Sequence, residues 1–232
     1  MLKEFIYLIE TELSKEVMLG RKLRDYVLRE LEKYPVEIVG SDFNNSLDPI
    51  AEVTYVLYLD MPLIKRETLN YVFGQMKSKN INRINFLNGY AVGVGEAEKN
   101  YFLTSEEFLR PDDARNKAAI YDAMRKRIID RNLLKGVYID SPNAVIDDVT
   151  IIKKDAVISG NAVIKGSCYI GKSKIYSSTI INSVIGDDCV IKNSYIKNTN
   201  VADKIVVEPF AAIESSMITE NVASGRIISR QV

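Results

Sequence analysis

Ile146, Ile152, Ile158, Ile164 and Ile170 stand six residues apart without a slip. Four residues after the first four of them come Thr150, Ala156, Ala162 and Cys168, all small, and Lys174 breaks that series. A period of six is neither helical nor that of a simple strand. It is the mark of a parallel β-helix, in which each hexad supplies one short strand and a turn, and three hexads complete a coil. The aliphatic residue points inward and the small residue fits the corner.

Beyond Ile170 the spacing tightens. Ile175, Ile180, Ile185, Ile191, Ile196 and Val201 follow at intervals of five or six, and the pattern runs on through Val207, Ile213 and Ile218. Taken to Gly225, the segment amounts to about five coils. Each buried Ile or Val contributes about 1.5–3 kcal/mol, and because each repeat leans on its neighbours the array is expected to fold as a block. Cys168 sits at the small position and Cys189 follows Ile185 by the same four residues, so both read as packing residues rather than nucleophiles. Tyr138, Tyr169, Tyr176 and Tyr195 are expected on outer faces.

The first half has a different grammar. FIYLI (5–9), VEIV (36–39) and VTYVLYL (53–59) are strand-like runs, with INFL and YAVGV as shorter candidates around Asn88-Gly89. Helices are predicted from Glu12 to Tyr34, interrupted at Gly20, and from Lys65 to Met76; SDFNNSLDP (41–49) is loop by composition. Gly93 and Gly95 lack the third glycine of a dinucleotide fingerprint, for which Glu98 would have to be glycine. PDDARNKAAIYDAMRKRIIDRNLLKG (111–136) has Pro and paired Asp at its start and Gly at its stop, the chemistry of a long helix. Ala114, Ala118, Tyr121, Met124 and Ile128 are its expected apolar face. Arg115, Arg125, Lys126, Arg127, Arg131 and Lys135 form the other, either a solvated face or an anion site.

Composition narrows the chemistry. Thirty-one basic residues balance thirty-one acidic ones, so no net field favours nucleic acid or an anionic membrane. No apolar run approaches a membrane span. Glu4 and Glu10 interrupt the first apolar stretch, which has no small-residue cleavage site; a cytoplasmic protein is expected. These 232 residues contain no histidine. Within them every His-based proton relay, Ser-His or Cys-His pair and His-rich zinc site is excluded.

Several stretches together resemble the bifunctional N-acetylglucosamine-1-phosphate uridyltransferase/glucosamine-1-phosphate acetyltransferase family: LLKGVYIDSPNAVIDD, INSVIGDDCVIKNS, VEPFAAI, and YVLYLDMPLIKRETL (55–69). The resemblance implies a nucleotidyltransferase domain joined by a long helix to a left-handed β-helix that trimerises. It places Asp60 where the family has a metal-binding aspartate at a strand end, and Arg115 or Asn116 where its partner asparagine stands. Asp60 is thus either a metal ligand, with Mg²⁺ the implied ion, or a helix-capping or Arg-paired structural residue. Gly89 lies in a turn that resembles the family's sugar-contacting one, or else is a simple hairpin glycine. The family's glycine-rich phosphate loop has no counterpart near the first strand, and Glu214 stands where a substrate-binding Arg is implied.

The expected organisation is a reduced nucleotidyltransferase-like α/β domain (1-110), a linking helix (111-135), an all-β left-handed parallel β-helix of hexapeptide repeats (136-225) and a tail (226-232). The whole reads as a truncated paralogue with no catalytic residues assigned. Asp60, Gly89, Arg115 and Asn116 are candidate vestigial ligand contacts, Asp60 is the candidate metal ligand, and no cofactor is expected unless that Mg²⁺ site survives. The expected role is a scaffold or regulator in UDP-N-acetylglucosamine metabolism, homotrimeric, with no nucleic-acid or membrane partner. A transferase completed by a second, full-length homologue and a sensor of sugar phosphates or UDP-sugars are the alternatives.

Overall fold

The computed structural model describes residues 2–43, 50–94, 101–141 and 143–229. Most of the expected 41–49 loop, together with Gly95 and Glu98, lies outside them. Contacts divide the chain into two compact units, 1–18 with 22–124, and 19–21 with 125–232.

The first unit is built on one mixed six-stranded sheet. Its strands are β1 (Leu2–Ile9), β2 (Val36–Val39), β3 (Ala51–Tyr58), β4 (Arg83–Phe86), β5 (Tyr90–Gly93) and β6 (Tyr101–Leu103), in the order β2-β1-β3-β5-β4-β6. β2, β1 and β3 run parallel, with Ile6 opposite both Val36 and Tyr55; β5 is antiparallel to β3 and β4. One sheet face is apolar because alternate residues project to it: Ile6, Leu8, Tyr55, Leu57, Ile84 and Phe86 are all buried there. Val27 and Leu31 of helix α1 (Leu23–Glu30) with its cap, and Leu69, Val72 and Met76 of α2 (Arg66–Lys79), cover them. The opposite face carries Tyr7, Ile9, Val56 and Tyr90, with Phe43 packed on Tyr7.

The helix predicted from Glu12 to Tyr34 is shorter and broken. A 3₁₀ turn (Glu12–Lys15) gives way to strand pieces Val17–Met18 and Arg21–Lys22, and only Leu23–Glu30 is α-helical. Leu19 and Gly20 take left-handed φ values of 49° and 80°. Two consecutive residues in that region close a tight reversal and cannot belong to a right-handed helix. β6 was not foreseen.

Helix α3 (Ala114–Leu134) stops at Gly136, φ 81°, whose amide donates to the Leu133 carbonyl while that of Val137 reaches Asn132. Its buried stripe is Ile120, Met124, Ile128 and Asn132, spaced four apart, while Ala114 and Ala118 of the expected face are exposed.

The second unit contains the left-handed parallel β-helix. Successive strands take three sides in turn, and every pairing within a side is parallel. On one side Ile146, Ile164, Ile180, Ile196 and Ile213 stack in register, on the next Ile152, Ile170, Ile185, Val201 and Ile218, and on the third Ile158, Ile175, Ile191 and Val207. All fourteen are buried. Thr150, Ala156, Ala162 and Cys168 are buried at corners, as expected. Where a tail was expected, Ile227–Ser229 pairs with Ala212–Glu214 and continues the first side. Tyr138, Tyr169, Tyr176 and Tyr195 are exposed or half-buried.

The tightened spacing has a chemical cause. Five segments share the form Ile-x-Ser/Asn-Ser/Thr-x-Ile/Val, beginning at Ile175, Ile180, Ile191, Ile196 and Ile213. Their first polar residues, Ser177, Asn182, Asn193, Asn198 and Ser215, all have φ between 42° and 49°. A left-handed residue turns the corner in one residue fewer, so Val163, Thr179 and Tyr195 pair at 16-residue steps where Val145 and Val163 are 18 apart. The second polar residue is turned inward. Ser178, Ser183, Ser194 and Thr199 are buried, and each hydroxyl donates to the carbonyl two residues earlier at 2.6–2.8 Å. The Ser178 and Ser183 oxygens also accept the amides of Ser194 and Thr199, one coil on, at 3.1 Å. Ser183→Ala leaves the buried Thr199 amide without that acceptor. It is expected to lower stability by about 1–3 kcal/mol, measured by chemical denaturation, whereas alanine at the exposed Ser167 should change it by less than about 0.5 kcal/mol.

Candidate functional site

In open sheets with parallel strands, ligands collect at the strands' carboxyl ends, and in the first unit β1 and β3 end side by side. The Leu59 amide donates to the Ile9 carbonyl at 2.9 Å, bringing Glu10 and Thr11 beside Asp60. Asp60 is fully buried. Its Oδ1 accepts from Arg110 Nε at 2.8 Å and its Oδ2 from Arg110 Nη2 at 2.9 Å. The Thr11 hydroxyl donates to Oδ2 at 2.6 Å. The guanidinium also lies over the Tyr58 ring, 4.1 Å from its centre. Burial opposes the charge on Arg110, but the hydrogen bonds and negative charge of Asp60 outweigh it and push the Arg110 pKa above its ordinary value. Glu10 is likewise engaged, by Arg24 at 2.5 Å.

This donor set suits a guanidinium: two parallel N–H groups meet two oxygens, the fork geometry of bidentate Arg–carboxylate pairs. It does not suit Mg²⁺, which takes near-octahedral oxygen ligands and keeps several waters. No group of three or more Asp, Glu, Cys or His side chains among the described residues could hold a metal.

Arg110 is held from behind. Phe108 stacks on Phe86 at 4.2 Å with the rings 6° from parallel, and its carbonyl accepts from Asn88 Nδ2 at 2.8 Å. Ser105 caps the short turn Glu106–Phe108. The turn that carries Asn88 is a hairpin between β4 and β5, closed by the Phe86 amide on the Gly89 carbonyl. Gly89 has φ 114°, and a Cβ there would lie 2.4 Å from the Val56 carbonyl oxygen. That close approach accounts for the glycine.

Among the described residues, Arg115 and Asn116 are not brought to Asp60. Arg115 is exposed on the first turn of α3. Asn116 belongs to the helix start, its amide donating to Asp113 Oδ1 at 2.7 Å and its Nδ2 to Asp112 Oδ1 at 2.9 Å. The residues that gather round Asp60 are Thr11, Tyr58 and Arg110, none of which was singled out from sequence. Arg110 directly precedes Pro111 in FLRPDD, a few residues before the expected DARN segment.

Outside this cluster, the second unit holds a buried carboxylate pair at the entry to the β-helix. Asp148 Oδ2 accepts from Arg21 Nε at 2.8 Å, and its Oδ1 lies 2.6 Å from Arg131 Nη1. Its amide donates to the Leu19 carbonyl, and Asp147 Oδ2 accepts the Gly166 amide. Arg131 of the basic helix face is therefore engaged within the unit. Cys168 and Cys189 are free and buried, and burial pushes both thiols up in pKa.

No family model matches the chain. The bifunctional protein GlmU of Streptococcus gordonii is 32% identical over 196 residues, 82% of this chain and 41% of that protein. GlmU of Streptococcus thermophilus is 35% identical over 127 residues, 53% of this chain and 28% of that protein. This chain is GlmU-like. The GlmU-like chain spans less than half the length of these curated relatives. A mutant perosamine N-acetyltransferase from Caulobacter crescentus, solved with CoA and GDP-perosamine, aligns over 95% of this chain and 91% of that one, with 8% identity and a TM-score of 0.28. No helix among the described residues is long and apolar enough to cross a membrane.

Three outcomes are expected. Gly89→Ala forces a Cβ onto a backbone oxygen at a left-handed φ and should cost about 2 kcal/mol or more, read from the denaturation midpoint. The two thiols of the native GlmU-like chain should react with a thiol-specific chromophore only at the rate of unfolding. Because their folded pKa values lie above the unfolded ones, stability should fall as pH rises past the ordinary thiol range; a native thiol titrating fast at neutral pH would contradict this.

Proposed function

We propose that the chain is a non-catalytic, GlmU-like scaffold or regulatory subunit in amino-sugar nucleotide metabolism, cytoplasmic and self-associating through its β-helix as a homotrimer. The observation that carries this reading is the internal neutralisation at the strand ends: Asp60 is spent on Arg110 and Thr11, and Glu10 on Arg24. A transferase must present unpaired charge to a phosphate or its metal ion in the transition state. The acetyltransferase half gives the same picture. Glu214, where the resemblance implies an Arg for the sugar phosphate, pairs with Lys197 at 2.7 Å.

Self-association is supported by one outward column of the β-helix. Ile151, Tyr169, Val184, Asn200 and Met217 stack in register on a single side. Ile151 and Met217 are 63% and 72% exposed. Four apolar residues stacked on one exposed side form the kind of patch that marks an interface.

The purified protein, supplied with metal, UTP, acetyl-CoA and the sugar phosphates, is expected to show no uridylyl or acetyl transfer; turnover of either kind overturns the proposal. Light scattering should give a mass near three times 26.2 kDa, falling to that of one chain in the double variant Ile151→Lys, Met217→Lys. A thermal-shift series with UDP-sugars, sugar phosphates and CoA is expected to be flat. A ligand present at 100 times its Kd would add about 2.7 kcal/mol, and such a shift would favour the sensor reading.

A further inference from the structure

The Asp60 cluster does more than fail to suit a metal ion. We propose that Arg110 is a tethered cation that takes the place of a divalent ion at the carboxyl ends of β1 and β3. It keeps both Asp60 oxygens paired, buried and closed to solvent ions. The proposal rests on the non-catalytic reading of the same site and deepens it by naming what excludes the metal.

Three observations converge. Both Asp60 oxygens accept from one guanidinium, at 2.8 and 2.9 Å, and the carboxylate has no exposed surface. A hydrated Mg²⁺ or Mn²⁺ ion therefore has neither room nor an uncommitted oxygen pair. The guanidinium is itself fixed, its face on Tyr58 and its segment anchored by the Phe86–Phe108 stack and the Asn88 side chain. Swinging it aside would break those contacts and leave a buried carboxylate unpaired. An arriving cation would also meet like charge, since Arg110 stays protonated at any ordinary pH. A metal ion offers its charge only when bound, whereas a covalently attached guanidinium offers it always.

The test uses the full chain and Mn²⁺ as the probe, followed by the electron paramagnetic resonance signal of free ion. Wild type and Asp60→Asn are expected to take up Mn²⁺ indistinguishably; uptake by wild type that Asp60→Asn abolishes overturns the proposal. Arg110→Met keeps the stem against Tyr58 and removes the charge. It should lower Tm on the order of 10 °C at neutral pH. The double variant Asp60→Asn, Arg110→Met should recover most of the loss. Should Arg110→Met fail to fold, the double variant decides: folding near the wild-type Tm supports the proposal. A double variant that also fails, or an Arg110→Met melting within about 2 °C of wild type, overturns it. Transferase turnover without Asp60-dependent Mn²⁺ uptake would sink the scaffold reading and leave this one standing. Asp60-dependent uptake without turnover would do the reverse.

Discussion

The second unit depends on a stacking constraint. A parallel β-helix exists only if each coil presents an aliphatic side chain directly above the last, and the coil's length must match three strands and three corners. The chain meets this first with six-residue steps and alanine-sized corners, then with five-residue steps in which a left-handed Ser or Asn shortens the turn. Shortening turns a backbone amide of the next coil inward, where no water reaches it. The hydroxyl of Ser178 or Ser183 supplies the acceptor, and its own proton goes to a carbonyl in the same coil. A buried polar group is tolerable only when paired, and here the pairing repeats with the fold.

The first unit applies the same rule to charge. Its strand ends would be a natural place for anions and metal ions, yet the acidic groups there meet Arg110 and Arg24 instead. A buried ion pair adds little to net stability compared with apolar packing, but removing one partner is costly. Such a pair is therefore better understood as fixing an arrangement than as strengthening it.

The hexads were legible because their period belongs to neither helix nor ordinary strand, and the inward isoleucines lie where that period puts them. β3 was legible from its unbroken apolar run. The break at Leu19-Gly20 was only half visible: Gly20 marked an interruption, but a leucine at positive φ carries no sequence signal. The α3 face was misplaced because alanine is at home in core or solvent, so Ala114 and Ala118 suggested a stripe that belongs to Ile120, Met124, Ile128 and Asn132. Asp60 could be singled out from its strand-end position, whereas its partner lies fifty residues away. No local pattern announces a pairing at that distance. The Ser/Asn-Ser/Thr corners were plain in the text as residues, but their meaning depends on the coil stacked next to them.

The hairpin tip Leu19–Arg21 has a topological consequence. It belongs to the unit formed by the later residues, and Arg21 supplies a guanidinium partner of the buried Asp148. Neither unit is therefore one uninterrupted length of chain. A fragment beginning at residue 125 would carry every coil of the β-helix and still lack a counter-ion that its entry requires. The boundary a reader would draw on the sequence differs from the boundary along which the molecule could be divided.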